Sequence, residues 1–196
     1  SLCIPASAAR LYVGTAEISI TPTRPVALEG AFALRISDGV QSPIMACVVV
    51  LESREGEEVL ERSVMVSADL VHLPMEMVES VRERVAGRIP GMDPAKVFIS
   101  TTHTHQAPVV MRDNFIIPEG VMTVGEYIDF FVARVSAAII DAHRKLQPGS
   151  ATWGLGHAQV AYNRRTAFLD GTAQVYAPVD GPGFKGIEGP EYQGIP

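Results

Sequence analysis

The sequence predicts an α/β fold, a layered mixed β-sheet with packed helices, on three observations. Val- and Ile-rich runs alternate with two stretches of helical period. A polar turn joins two of the runs into a hairpin. One helical stretch lies between two strand-like runs, as in a βαβ unit, so parallel pairing joins the antiparallel pairing of the hairpin. At 196 residues the chain is about one domain. Its 47% hydrophobic and 19% charged residues provide enough apolar surface to offset the entropy of ordering.

The elements follow in order. Residues 11–20 and 43–52 are rich in Val, Ile and Tyr and read as strands, the first stopped by Thr21-Pro22-Thr23-Arg24-Pro25 because proline supplies no ladder donor. Arg54-Glu55-Gly56-Glu57-Glu58 is a turn between residues 46–51 and 59–67, which pair as a hairpin. From 73 to 89, Val78, Val81, Val85 and Ile89 recur at helical steps with charges between them, and Pro90-Gly91 ends the helix. Residues 96–100 are apolar on both faces, the pattern of a central strand. A longer helix is predicted from 124 to 146, with Tyr127, Ile128, Phe131, Val135, Ile139, Ala142 and Leu146 in one stripe, closed by Pro148-Gly149. Strand patterning returns through Trp153, Leu155 and Val160, and an Asp170-Gly171 turn leads into 172–176. Residues 177–196 hold five glycines and four prolines with almost no period, and read as a Pro/Gly-rich loop or truncated connector. A domain seldom ends in so long a structureless segment, so the sheet is expected to be incomplete at its carboxyl end. The expected organisation is a leader or frayed terminus at 1–10, an α/β region at 11–176 and the connector at 177–196.

Charge and cysteine usage exclude several classes. The net charge of −6, with no Lys/Arg block, lacks the footprint that a phosphate backbone requires, so nucleic acid is not an expected partner. No run approaches the roughly 18 apolar residues of a membrane-spanning helix. Two cysteines, Cys3 and Cys47, allow at most one disulfide and no tetrathiolate site. The small, apolar opening through Ala8-Ala9 suits the tail of a cleaved export signal or an ordinary frayed terminus. The corresponding locations are secreted or periplasmic in the first case and cytoplasmic otherwise.

Ser100-Thr101-Thr102-His103-Thr104-His105-Gln106-Ala107-Pro108 leaves the carboxyl end of a predicted strand, where sites in such sheets are built. In extended chain, side chains two apart share a face, so His103 and His105 are able to address one ion or one substrate. Neutral imidazole suits zinc, and an open coordination position lowers the pKa of bound water toward about 7. The same spacing also fits two histidines bonded to backbone in a Thr-rich turn, and a catalytic zinc takes about three protein ligands. His143 and His157 read as surface residues. Asp69, at the end of a second strand, either orients a ligating histidine or caps the helix near Pro74, and His72 follows it. Arg164, in Tyr162-Asn163-Arg164-Arg165, is able to hold a carboxylate or an oxyanion, or to stand as solvated charge.

Taken together, Val13-Gly14-Thr15-Ala16-Glu17-Ile18-Ser19-Ile20-Thr21-Pro22, Val66-Ser67-Ala68-Asp69-Leu70, Thr102-His103-Thr104-His105 with Pro108, and Asn163-Arg164 resemble, in order and spacing, the amino-terminal part of the neutral (alkaline, non-lysosomal) ceramidases. The resemblance implies a zinc amidase that cleaves the N-acyl bond of a ceramide-like lipid by metal-activated water, reaching its substrate at a membrane surface. It implies His103 as a zinc ligand, with His105 beside the metal toward the reacting oxygen and Arg164 near it. Asp69, His72 and Asn163 remain supporting or structural candidates.

The family's zinc is completed by another histidine, a glutamate and a tyrosine further along a longer chain, and nothing past Arg165 matches them. The chain is therefore expected to be a fragment, or a short relative with an incomplete site and little activity alone. Arg165 stands where the family has a serine, which separates the amidase chemistry from the lipid substrate. The alternatives are a hydrolase of a non-lipid amide or ester, and a ligand- or partner-binding module without chemistry.

Overall fold

The computed structural model describes residues 9–112, 115–157 and 164–187. Contacts divide the chain into two units, Ser1–Ser150 and Ala151–Pro196.

In the first unit, chain order is β1 (Arg10–Ser19), β2 (Ala27–Leu28), β3 (Arg35–Ile36), β4 (Met45–Glu55), β5 (Glu58–Ala68), α1 (Met75–Ala86), β6 (Val97–Thr101), α2 (Val124–Arg144) and β7 (Gln147–Pro148). Five strands form one mixed sheet in the order β6-β5-β4-β1-β7. The expected hairpin is β4–β5, antiparallel. The expected βαβ unit is β5–α1–β6, with Val64 opposite Val97 and Ala68 opposite Thr101 in parallel register. This register brings the carboxyl ends of β5 and β6 side by side.

Strand alternation sorts the two faces of the sheet. The cross-strand pairs Ala46/Ala68, Val48/Val66 and Val50/Val64 are buried, in one core with Met77, Val81 and Val85 of α1 and Phe131, Val135 and Ile139 of α2. Each fully buried Val, Ile or Phe contributes about 1.5–3 kcal/mol. On the opposite face Cys47 and Met65 are exposed, and Phe98 of β6 is 53% exposed. The expectation of a central strand at 96–100 is corrected here: among the described strands β6 lies at the sheet edge. Its two-sided apolar pattern arises because Val97 enters the core while Phe98 lies on the uncovered face.

Helix α2 opens with a reciprocal capping box, Thr123 accepting from the Glu126 N–H while the Glu126 carboxylate accepts from the Thr123 N–H. The buried Tyr127 hydroxyl donates to the Ile20 carbonyl at 3.0 Å, tying the helix to the end of β1. Gly14 permits the close approach of β1 to α2, since a Cβ there would stand 2.0 Å from the Ala142 carbonyl oxygen.

In the second unit, β8 (Arg165–Phe168), β9 (Ala173–Val175) and β10 (Phe184–Ile187) form an antiparallel sheet in the order β10-β8-β9. The Asp170-Gly171 turn is held by the Asp170 carboxylate, which accepts from the Thr172 N–H at 2.9 Å and the Thr172 hydroxyl at 2.7 Å. Two sequence expectations are corrected. Residues 151–157 carry no strand despite Trp153 and Leu155, both largely exposed, while Val160 lies outside the described residues. Within 177–196, read as a loop, Phe184–Ile187 is a strand, because pairing with β8 supplies the order that sequence alternation does not.

Cys47 is a free, exposed thiol, and Cys3 lies outside the described residues. Among the described residues no helix is long and apolar enough to cross a membrane.

Candidate functional site

The His-x-His segment emerges where the parallel strands β5 and β6 end together, and backbone bonds fasten it to the loop that follows β5. The Thr102 N–H donates to the Ala68 carbonyl at 3.0 Å and the His103 N–H to the Leu70 carbonyl at 2.9 Å. The Val71 carbonyl accepts twice, from the Thr101 hydroxyl at 3.2 Å and from His103 Nδ1 at 2.8 Å. A carbonyl only accepts, so His103 Nδ1 carries the proton and Nε2 of the neutral ring carries the lone pair. This is the arrangement by which a backbone carbonyl orients a metal-ligating imidazole.

The two imidazoles are neighbours, with centroids 5.0 Å apart and planes at 75°. Both residues are exposed. Their proximity does not come from strand alternation, since His103 has a left-handed backbone, φ 61, and β6 ends at Thr101. A turn brings the rings together.

Asp69 does not cap α1. Pro74 holds the N-cap with no side-chain hydrogen bond, and the Asp69 carboxylate accepts instead from the Met45 N–H at 2.9 Å and the Thr102 hydroxyl at 3.0 Å. It thereby joins β4, the end of β5 and the histidine turn. His72 is half-buried, and its Nε2 is buried with no hydrogen-bond partner among the described residues.

A second support went unnoticed in the sequence. Strand β2 runs beside residues 107–109, with the Glu29 N–H donating to the Ala107 carbonyl and the Val109 N–H to the Ala27 carbonyl, each at 2.9 Å. Gly30, at φ +91, lies directly against His105, and a Cβ there would stand 2.4 Å from His105 Cγ. Arg35 Nη2 donates to the carbonyls of Glu29 at 3.0 Å and His105 at 2.8 Å. The available signal was a lone cation in the otherwise uncharged run 30–37, preceded by glycine.

A cleft of about 960 Å³ adjoins the turn, lined mainly by residues 21–26 and 37–44 together with Asp69, Thr104 and Gln106. The walls mix hydroxyls and amides with Val26, Leu28, Val40 and Ile44. Arg24 at its rim is paired with Glu126 at 2.6 Å. That pairing contributes to holding the Glu126 carboxyl down at about 2, after the larger effect of the Thr123 N–H.

Arg164 belongs to the second unit, where it is exposed and its guanidinium carbon lies 4.7 Å from the Tyr176 ring centroid. Asn163 lies outside the described residues, and His157 is exposed. His143, expected at the surface, is corrected to half-buried, with Nε2 3.9 Å from the fully buried Glu52 carboxylate. Arg54 and Arg62 also bind that carboxylate. Among the described residues no group of three or more His, Cys, Asp or Glu side chains is arranged to hold a metal.

Compared with solved structures, the chain is similar to neutral ceramidase from Pseudomonas aeruginosa, with a TM-score of 0.65 and 19% identity over 82% of this chain and 25% of that one. It is also similar to a ceramidase complexed with C2, with a TM-score of 0.67 and 21% identity over 80% of this chain and 25% of that one. The fold is that of part of a neutral ceramidase chain. The chain spans about a quarter of the length of those ceramidase chains. No protein-family model matches the sequence, and no curated protein matches it. At this identity the ceramidase likeness establishes architecture, and the chemistry has to be argued from the residues.

Proposed function

We propose that this ceramidase-fold chain carries part of a metal-dependent hydrolase site that cleaves the N-acyl bond of a lipid amide. The observation that carries the reading is the exposed pair His103 and His105, rings 5.0 Å apart, with His103 Nδ1 donating to the Val71 carbonyl. That bond leaves the His103 Nε2 lone pair available, which fits a zinc ligand. When bound, zinc supplies Lewis-acid polarisation and a water whose pKa is lowered to about 7. With zinc held by His103, His105 would serve the reacting carbonyl oxygen as a hydrogen-bond donor. The resemblance gives Arg164 the same duty. Ligands beyond His103 are required, and among the described residues no group of three or more His, Cys, Asp or Glu side chains is arranged to supply them.

A lipid substrate is supported by the segment whose ends hold His105. Phe32 is fully exposed there, with Leu34, Ile36 and Val40 also exposed. Such apolar surface suits contact with an aliphatic chain or with the membrane that presents it. The polar half of the cleft wall beside Thr104 and Gln106 suits the amide and hydroxyl end.

A second reading, a binding module of the same fold without chemistry, is favoured by the lack of a three-ligand cluster among the described residues. Zinc binding by equilibrium dialysis, with hydrolysis of N-acyl sphingosine and of a short N-acyl amide, distinguishes the two. The hydrolase reading expects weak zinc binding by this chain that His103→Ala abolishes and, in a longer chain that carries the remaining ligands, zinc-dependent turnover lowered by His105→Ala and Arg164→Ala. Zinc retained by His103→Ala, or lipid binding without turnover at saturating zinc in a chain that carries the remaining ligands, overturns it.

A further inference from the structure

We infer that Arg35 is a positioning residue for His105: with Gly30 it forms a clasp that fixes where the imidazole stands. Three observations converge. First, Arg35 Nη2 bridges the carbonyls of Glu29 and His105, at 3.0 and 2.8 Å, so one cationic donor fastens both the start of the clasp and the backbone of His105. A hydrogen bond from a charged donor is about twice as strong as a neutral one. Second, Gly30 at φ +91 lies against the same residue, where a Cβ would stand 2.4 Å from His105 Cγ, 2.5 Å from its Cβ and 2.8 Å from its Cα. Only glycine fits at that distance and in that conformation. Third, the backbone of Arg35 is anchored in its own right, since it pairs with Leu28 in the β2–β3 ladder.

His103 is held differently, by backbone and ring bonds to the loop after β5. The two imidazoles therefore have separate supports, one from the β5–β6 strand ends and one from the β2–β3 clasp. Loosening the clasp displaces His105 alone. This inference rests on the hydrolase reading for its significance, because a hydrogen bond to a reacting oxygen tolerates little displacement, and a shift of about 1 Å costs on the order of a hundredfold in rate. Its physical content does not depend on turnover.

The test is imidazole NMR on the full chain with labelled histidine, in wild type, Arg35→Ala, Arg35→Lys and Gly30→Ala. The expected result for Arg35→Ala is displaced His105 ring signals and loss of the His103–His105 ring-to-ring NOE, while His103 and His143 signals stay in place. Arg35→Lys keeps a cationic donor and is expected to restore part of the NOE. Gly30→Ala leaves Arg35 intact and should displace the same His105 signals, so the inference stays testable if Arg35→Ala fails to fold. Folded Arg35→Ala and Gly30→Ala proteins with wild-type His105 signals and NOE overturn it. So does a uniform change across all histidines. Because the readout needs neither zinc nor substrate, zinc retained by His103→Ala would sink the functional reading and leave this one standing.

Discussion

The Thr102 hydroxyl donates to Asp69 Oδ1 at 3.0 Å, joining the chain leaving β6 to the chain leaving β5. The other carboxylate oxygen accepts from the Met45 N–H at 2.9 Å, so one side chain registers three strand ends beneath the histidine turn. Asp69→Ala removes the acceptor of a part-buried backbone donor, at an expected cost of about 1–3 kcal/mol in denaturant unfolding. Asp69→Asn keeps an acceptor for Met45 and lets the Thr102 hydroxyl accept from the new amide. Its cost is expected to stay below about 1 kcal/mol, near the net worth of one neutral hydrogen bond. Equal losses in the two variants would mean that the carboxylate charge, and not its geometry, supports the turn.

At the other end of the same sheet the fully buried Glu52 carboxylate binds Arg54 and Arg62, and Arg62 also donates to the Pro90 carbonyl at 2.9 Å. Removing one member of a buried cluster leaves the others uncompensated. Glu52→Ala is expected to cost about 3 kcal/mol, the low end of the range for a broken buried pair because the arginines are partly solvated. Glu52→Gln should cost less, since the amide oxygen still accepts. Urea unfolding of both variants checks this. A Glu52→Ala protein as stable as wild type would show that the arginines resolvate freely.

Much of the fold was legible because it is written locally. The stripe in 124–146 and the alternation in β4 and β5 each encode one buried face, and the run Arg54-Glu55-Gly56-Glu57-Glu58 encodes the turn between strands. What was not legible depended on partners distant in sequence. Glu52 reads as an ordinary strand-surface acid until Arg62 and His143 stand beside it. Nothing local in the sequence singles out Gly30 and Arg35, because their partner, His105, lies seventy positions or more away. The strand at Phe184–Ile187 was hidden in a Pro/Gly-rich run for the same reason, since β8 supplies its register. His103 and His105 were placed together for a reason that the backbone replaces, a left-handed turn in place of strand alternation.

Phe32 is fully exposed between the two ends of the clasp, and an unsupported phenyl ring there has no role in the core. If it meets the aliphatic part of the substrate, Phe32→Ser should weaken binding of a long-chain N-acyl substrate by about tenfold, the worth of roughly 1.4 kcal/mol of lost apolar contact. The same variant should leave a two-carbon N-acyl substrate unaffected, and unfolding unchanged. An equal effect on both chain lengths would place Phe32 outside the acyl contact.

The response to acid follows from His143 and Glu52. Burial first, and then the Arg62 charge, hold the His143 imidazole below its ordinary 6.5, although Glu52 pulls the other way. The folded chain thus protonates this ring less readily than the unfolded one. At pH values above 6.5 the ring is neutral in both folded and unfolded chains, and below that the unfolded chain takes up the proton first, so stability declines as pH falls. Burial works to raise the Glu52 carboxyl, but hydrogen bonds from Arg62 and Arg54 outweigh it and leave it below its ordinary 4.5. Its stabilising contribution is present above that value and is lost as pH falls through the lower, folded value. Glu126, held at about 2, loses its contribution over the same acid range. Thermal unfolding should therefore show two declines on acidification, a first just below neutrality and a second in the carboxylate range. His143→Gln should remove the first and keep the second. A wild-type melting temperature constant from pH 7 to pH 5, about the range of an ordinary histidine titration, would mean that His143 is as free to protonate in the folded chain as in the unfolded one.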